Sequence, residues 1–252
     1  MKRRIALFLA LCLLASLCAC GKHYTMLDVP KSLHLDPSAL SENMDDLMSI
    51  EDDMTLIAAL PDEGLYVYES DVTVVGGVLF KYDGIIQYFP WSFTPQIAEP
   101  EVCLGDYNAD GLTDIAFTYC DTASELRHNE NLHILLRGEK GFEDCVYTWQ
   151  AASVDASTRI TVDDNGDGTF TAHLNGQSAT AAFDASGMGA YRGVYANDVQ
   201  DFTLGDTITL TVQPGLVFND RSLPVYDVFV YTATMQLKDG VLSPTDTCIA
   251  AK

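Results

Sequence analysis

Hydrophobic and polar residues alternate in short runs along most of the chain after Leu65. Successive side chains of a β-strand point to opposite faces, so each alternating run predicts a half-buried strand. The runs are bounded by turn dipeptides, among them Asp83-Gly84, Asn165-Gly166 and Asp239-Gly240. Roughly ten short strands separated by such turns predict a mainly β fold, with antiparallel sheets that form a sandwich or a barrel-like meander.

The polar, acidic segment before the first alternating run predicts a different structure. Ser41 is a candidate helix cap, and Met44, Leu47 and Met48 follow it at helical spacing. We therefore expect residues 20–63 to form a tether that includes a short N-terminal helical segment.

The β-rich remainder is long enough for two lobes. We expect a first β lobe over residues 64–150 and a second over residues 151–252. Residues 151–157 between them are small and polar, and they either join the lobes or form a short helix.

The N terminus carries a targeting signal. A basic segment, residues 1–4, precedes an apolar run over residues 5–17. A membrane-spanning helix needs about 20 apolar residues, so this run predicts a secretory signal peptide over residues 1–19. Its end, Leu17-Cys18-Ala19-Cys20, resembles a bacterial lipobox. The resemblance implies a lipoprotein, lipidated at Cys20 and anchored on the extracytoplasmic face of the cell membrane, whereas the alternative is an ordinary signal peptide followed by a free cysteine.

The charge of the chain limits its partners. The sequence has 14 Lys and Arg against 36 Asp and Glu, a formal net charge of −22. Such an excess of negative charge excludes nucleic acid as a partner, and it excludes docking of the protein surface on anionic lipid. Hydrophobic residues make up 48% of the chain, which is ordinary for a globular core, so the acidity does not predict disorder.

One acidic loop has the spacing of a metal site. Asp106, Asn108 and Asp110 place oxygen-bearing side chains at every second position, and Asp114 follows. Ca²⁺ is bound by carboxylate, amide and backbone oxygens, so these side chains and the carbonyl of Leu112 form a candidate ligand set. The sequence therefore predicts a structural Ca²⁺ ion at this loop.

The surroundings of the loop distinguish it from an EF-hand. Gly111 permits a sharp turn, but Phe117 stands where an EF-hand has its bidentate glutamate, and residues 115–119 read as a strand. Strand, acidic loop and strand over residues 102–120 resemble the calcium-binding repeats of the FG-GAP and VCBS type. The resemblance implies that the Asp and Asn positions of the loop bind Ca²⁺. The alternative is an Asx-rich turn without metal.

A shortened copy of the motif follows at residues 163–168. Asp163, Asn165 and Asp167 repeat its first part, but Thr171 stands where the later acid would be. Alternating flanks and an Asn-Gly dipeptide predict a β-hairpin with a plain turn, and a weak second metal loop is the alternative.

The cysteines allow two interpretations. Outside the cytoplasm, Cys103, Cys120, Cys145 and Cys248 can form two disulfides. Cys103 with Cys120 is the most plausible pair, because the two bracket the metal loop on strands expected to be neighbours. We favour the alternative, in which all are small apolar core residues.

No motif indicates a reaction. The chain lacks both H-E-x-x-H and G-x-S-x-G, and we interpret Asp198, Asp201 and Asp206 as solvated surface charge. Residues 122–131 are expected to form a polar loop that can carry function. We therefore expect a non-enzymatic, calcium-stabilised binding module for a protein or glycan ligand. The alternatives are an envelope hydrolase with dispersed acidic residues and a sensory accessory of a membrane partner.

Overall fold

The computed structural model describes six stretches of the chain, residues 24–49, 54–70, 76–91, 99–124, 127–197 and 199–252. The predicted signal peptide and Cys20 lie outside them. Within these stretches, no helix has both the length and the apolar character needed to cross a bilayer.

The chain divides into two compact units. The first comprises Met1–Leu56 with Pro61–Pro90, and the second comprises Ile57–Leu60 with Trp91–Lys252. The main boundary therefore lies at Pro90, inside the predicted first lobe, and the predicted boundary at residue 150 lies inside the second unit.

A five-stranded sheet in the order β1-β5-β4-β3-β2 provides the strands of the first unit, although the last four residues of β2, Ile57–Leu60, are grouped with the second unit. Its strands are β1 (Thr25–Leu27), β2 (Met54–Leu60), β3 (Leu65–Ser70), β4 (Val78–Tyr82) and β5 (Ile85–Phe89). β4 and β5 are the hairpin predicted at Asp83-Gly84, where both residues have positive φ, as a type I′ turn requires. In the described part of residues 20–63, the predicted helical segment is present as short 3₁₀ turns, at Lys31–Leu33, Met44–Asp46 and Pro61–Glu63.

The second unit holds the remaining strands and one α-helix within the described residues. The strands around the acidic loop are β6 (Glu101–Gly105), β7 (Asp114–Ser124), β8 (Arg127–Arg137) and β9 (Phe142–Tyr147). The helix α1 (Trp149–Arg159) is followed by β10 (Thr161–Asp164), β11 (Thr169–Leu174), β12 (Gln177–Ala182) and β13 (Tyr191–Tyr195). The last strands are β14 (Val199–Thr203), β15 (Thr209–Val212), β16 (Gly215–Phe218), β17 (Phe229–Lys238) and β18 (Val241–Ala251).

An eight-stranded sheet dominates this unit, in the order β18-β17-β15-β14-β8-β7-β6, with β9 also paired to β8. Its pairings are antiparallel except between β8 and β14, where His128 pairs with Val199 and Asn129 with Gln200 in parallel. That short pairing connects the strands β6 to β9 to the strands β14, β15, β17 and β18. The prediction of a mainly β, mostly antiparallel fold is confirmed.

Helix α1 confirms the helical alternative for residues 151–157. Thr148 caps its N terminus, since the threonine hydroxyl accepts a hydrogen bond of 3.3 Å from the backbone of Ala151. The small residues Ala152, Ser153 and Ala156 form its buried face. Ala152 and Ala156 join the same core as residues of the large sheet and of the three-stranded sheet β10-β11-β12.

All four cysteines in the described part of the chain are free thiols. Cys103 lies opposite Ala116, whereas Cys120 lies four residues further along β7 and opposite Glu130. Four residues of strand span about 13 Å, well beyond the Cα separation of about 4.4–6.8 Å that a disulfide needs. The alternative with a Cys103–Cys120 disulfide therefore does not hold, because neighbouring strands are not enough without the correct register. The free thiols agree with the favoured interpretation, although Cys120 and Cys145 are buried while Cys103 is partly buried and Cys248 is exposed.

Candidate metal loop and the cleft beside it

The acidic loop connects the antiparallel strands β6 and β7. Their last paired residues are Gly105 and Asp114, so both ends of the loop are fixed by the sheet. Two loop residues have left-handed backbones, Ala109 at φ 60° and Gly111 at φ 84°. A Cβ atom at Gly111 would meet no atom within 4 Å, so glycine is needed there for its backbone angle and not for space.

The predicted ligand side chains turn back onto the loop backbone. Asp106 accepts hydrogen bonds from the N–H groups of Asp110, at 3.0 Å, and Gly111, at 2.9 Å. The Asn108 side-chain oxygen accepts from the same Asp110 N–H at 3.0 Å, and the Asp110 carboxylate accepts from Leu112 N–H at 2.8 Å. Asp106, Asn108 and Asp110 therefore surround one tight turn.

Asp114 has a different setting from the other predicted ligands. Its side chain is completely buried. One carboxylate oxygen accepts from Tyr107 N–H at 3.0 Å, and the other accepts from Arg137 N–H at 2.8 Å. Burial raises the pKa of Asp114, and these two backbone hydrogen bonds oppose the rise. Asp114 thus connects the start of the loop to the end of β8, whatever else it binds.

The donor set of the loop suits a hard cation. All its candidate donors are oxygens, which Ca²⁺ prefers and soft metals do not. A carboxylate oxygen that accepts one N–H bond keeps a second lone pair for an ion. In the described part of the chain, three carboxylates of the loop do not each bring an oxygen within 4.8 Å of the other two. An ion here would therefore need the Asn108 amide oxygen, the Leu112 carbonyl and water as further ligands.

The shortened motif is a hairpin turn, as the preferred interpretation predicted. Asp163 pairs with His173 on β11 at 3.2 Å. The Asn165 amide donates to the hydroxyls of Thr169 and Thr171, and Asp167 accepts from the backbone N–H of Thr169. These side chains close the hairpin, and metal binding by them stays a prediction.

An open cleft of about 660 Å³ lies beside the acidic loop in the second unit. Asp106, Tyr107 and Asn108 line it on the loop side. The other polar lining residues are Asp206, Thr207, Thr234, Gln236, Thr245 and Asp246. The cleft is therefore rich in hydroxyl, amide and carboxylate groups, and it carries an excess of negative charge.

Tyr107 fixes the loop against the wall of this cleft. Its hydroxyl donates to the backbone carbonyl of Gly205 at 3.3 Å, in the turn between β14 and β15. Burial is the main cause that raises the pKa of this tyrosine. A Cβ atom at Gly105 would lie 2.8 Å from the Tyr107 ring, so the glycine provides the space that the ring occupies.

No protein-family model, no curated protein and no solved structure matches this chain. The resemblance to FG-GAP and VCBS repeats therefore rests on residues 102–120 alone. The resemblance to a lipobox rests on Leu17-Cys18-Ala19-Cys20 alone.

The structure also assembles a cluster that the sequence did not reveal. His128 Nε2 lies 2.9 Å from Glu130 Oε1 and 3.9 Å from Asp201 Oδ1. Burial, and then the neighbouring Glu130, raise the pKa of Asp201 to about 6. Hydrogen bonds to Cys120 and Glu130 raise the pKa of His128 to about 10.

The strand assignment explains why the sequence alone does not reveal this cluster. Residues 122–131 were expected to form a loop, but they belong to β7 and β8 where the structure describes them. The available signal was the spacing of His128 and Glu130, two residues apart, which puts both on one face of a strand. Asp201 was expected to be solvated, and only the parallel pairing of β14 with β8 brings it close.

Proposed function

We propose that this protein is a lipid-anchored, extracytoplasmic binding module in which Ca²⁺ stiffens one wall of a ligand-binding cleft. The proposal is supported by one observation, which is that the acidic loop and the cleft have Asp106 and Asn108 in common. Both residues belong to the candidate calcium loop, and both line the cleft. An ion that orders the loop would therefore also fix the shape of the binding surface.

A bound Ca²⁺ ion would offset the repulsion between carboxylates at this wall of the cleft. Asp106 and Asp110 are exposed carboxylates within one short turn, and Asp206 lines the same cleft as Asp106. Like charges at close range repel each other, and a divalent cation held among them offsets that repulsion. The side-chain amide of Asn108 donates a hydrogen bond of 2.9 Å to the Asp110 carboxylate, which holds these two candidate ligands together.

The lining of the cleft favours a neutral, hydroxyl-rich ligand. Thr234, Gln236 and Thr245 offer hydroxyl and amide groups, which exchange hydrogen bonds with sugar hydroxyls. The carboxylates of Asp206 and Asp246 accept such hydrogen bonds but repel anionic ligands. We therefore infer a neutral glycan as the ligand class.

The anchor in this proposal is the lipidated Cys20. Each buried CH₂ of an acyl chain contributes about 0.8 kcal/mol to membrane binding, so two or more chains hold a protein stably on a bilayer. The acidic protein surface would not itself attach to anionic lipid, so the lipid on Cys20 would be the means of attachment.

The calcium step is tested by melting the mature chain in Ca²⁺ and in chelator. A specific ion at a hundredfold excess over its Kd raises the free energy of unfolding by about 2.7 kcal/mol. We expect Asp110→Ala to abolish this gain and Asp167→Ala, in the shortened motif, to preserve it. Equal melting temperatures of the wild type in Ca²⁺ and chelator would refute the calcium step.

The ligand step is tested separately by binding to a panel of neutral and anionic glycans. We expect neutral glycans to bind, and we expect Gln236→Ala to weaken them without changing the calcium-dependent melting shift. Binding restricted to anionic glycans, or binding that Gln236→Ala and Thr245→Ala leave unchanged, would contradict the assignment of the cleft.

A further inference from the structure

His128, Glu130 and Asp201 bring one nitrogen and two carboxylates together where β8 meets β14. One ligand atom from each residue lies within 4.8 Å of the others. His128 and Glu130 come from alternate positions of one strand, and Asp201 comes from the strand beside it. Side chains on paired strands are held more rigidly than side chains on loops, which favours a preorganised site.

We propose that these three side chains form a binding site for a divalent transition-metal ion of the Zn²⁺ class. Zn²⁺ takes imidazole nitrogen together with Asp or Glu oxygen, and sites with three protein ligands keep a position for water. Ca²⁺ prefers six to eight oxygens, so a nitrogen-containing set of three ligands disfavours it. The site is separate from the calcium loop and does not rest on the proposed function.

The residues around the cluster hold the ligands in orientation. The second carboxylate oxygen of Glu130 accepts from the backbone N–H of Phe202 at 2.9 Å, which leaves Oε1 facing His128. On the other side of the imidazole, Nδ1 lies 4.0 Å from the thiol of Cys120. Histidines that bind metal through one nitrogen commonly engage a partner through the other, which fixes the ring.

Burial and charge also suit an ion at this position. The Glu130 side chain is only 10% exposed, whereas the His128 side chain is 37% exposed and that of Asp201 is 56% exposed. The site is therefore closed on one side and open to solvent on the other, which gives an ion a route of entry. Two neighbouring carboxylates repel each other, and a bound dication would reverse that effect.

The competing explanation is an ion pair that only stabilises the pairing of β8 with β14. The two explanations differ in the role of Asp201. An ion pair between His128 and Glu130 is complete without it, whereas a metal site loses a ligand when Asp201 is removed. Asp201 is also the most exposed of the three side chains, so its substitution disturbs the fold least.

The test is a Zn²⁺ titration of the mature protein by calorimetry, after chelation and in the presence of saturating Ca²⁺. We expect one strong site in the wild type. Loss of a residue that only supports a ligand typically weakens metal binding about 10–100-fold, so we expect Asp201→Asn and His128→Gln to weaken it by about 100-fold or more. His173→Gln is the matched control, because His173 pairs with Asp163 at 3.2 Å, and among the described residues no third His, Cys, Asp or Glu completes a metal-binding group with them.

The remaining variants separate this site from other sources of zinc binding. Cys248→Ser removes an exposed thiol and should leave the titration unchanged. Asp110→Ala should also leave the Zn²⁺ titration unchanged. Asp201→Asn should preserve the calcium-dependent melting shift. The two variants therefore test the zinc site and the calcium loop independently of each other. Absence of Zn²⁺ binding by the wild type, or equal binding by Asp201→Asn and wild type with both folded by circular dichroism, would overturn the proposal.

Discussion

The Tyr231 hydroxyl donates a hydrogen bond of 2.9 Å to the Asp155 carboxylate and so joins β17 to α1. Asp155 also pairs with Arg159 at 2.7 Å on the next turn of the helix. Tyr191 provides a contrast, since its buried hydroxyl has no hydrogen-bond partner within the described ranges. Both tyrosine hydroxyls are buried in the second unit. The Tyr231 hydroxyl has a hydrogen-bond partner, whereas that of Tyr191 has none among the described residues.

The first prediction follows from this contrast. Tyr231→Phe should lower the free energy of unfolding by about 1.5 kcal/mol, because it removes a hydrogen bond to a charged acceptor. Tyr191→Phe should be neutral or slightly stabilising, because it removes a buried hydroxyl that makes no bond. Urea denaturation measures both, and equal losses for the two variants would contradict the assignment.

The second prediction concerns alkaline pH. Burial raises the pKa of Tyr231, the hydrogen bond to Asp155 raises it further, and burial likewise raises the pKa of Tyr191 to about 12. Folding therefore favours the neutral phenols, and their contribution is complete below the unfolded pKa of about 10. It is lost as pH rises through the higher folded values.

We therefore expect stability to decrease steadily above about pH 10. Urea midpoints measured from neutral to alkaline pH, together with tyrosinate absorbance, would show this decrease. Because Tyr191→Phe removes one buried titrating group, its stability should decrease less steeply with pH than that of the wild type. Identical slopes would show that ionisation of Tyr191 is not linked to unfolding.

The third prediction separates two roles within the acidic loop. Asp114→Ala leaves the N–H groups of Tyr107 and Arg137 without their acceptor, at a cost of about 1–3 kcal/mol for each that stays buried. The loss should appear in chelator as well as in Ca²⁺. Asp110→Ala changes an exposed side chain, so its effect should appear mainly in Ca²⁺. Melting curves of both variants in Ca²⁺ and in chelator show whether each loss of stability depends on Ca²⁺.

The fourth prediction concerns Gly105. Alanine there would place its Cβ 2.8 Å from the Tyr107 ring, so the ring must move away from the wall of the cleft. Such overpacking typically costs about 1–3 kcal/mol, and we also expect weaker Ca²⁺ binding by the displaced loop. Gly138→Ala is the control, since its Cβ would meet only the Gly141 carbonyl, at 3.4 Å. Calcium titrations of both variants measure the difference.

Local chemistry made part of this fold predictable. The hairpin between β4 and β5 follows from Asp83-Gly84, because few residues tolerate the positive φ values of a type I′ turn. The order of strand, loop and strand around Asp106 follows in the same way from the alternation of apolar and polar residues and from Gly111 in the loop. These features depend on neighbours in sequence, so the sequence is sufficient to place them.

Features that depend on register or on distant pairing were not predictable. The spacing of Cys103 and Cys120 suggested proximity, but the register of β6 and β7 separates them. Asp201 looked like one of many surface acids, and its place beside Glu130 depends on a parallel pairing between strands far apart in sequence. Asp114 was found as a candidate ligand, but its burial and its hydrogen bond to Arg137 were not visible in the motif.

The short parallel pairing of β8 with β14 has a consequence for the order of folding. Within β6 to β9, each strand pairs with the strand next to it in sequence, so this meander can form its own ladder hydrogen bonds while the rest of the chain is still being synthesised. β14 must close a much longer loop to reach β8, and such closures are slow. We therefore expect the large sheet to be assembled from an early half and a late half, and amides at their junction to exchange with solvent before those inside either half.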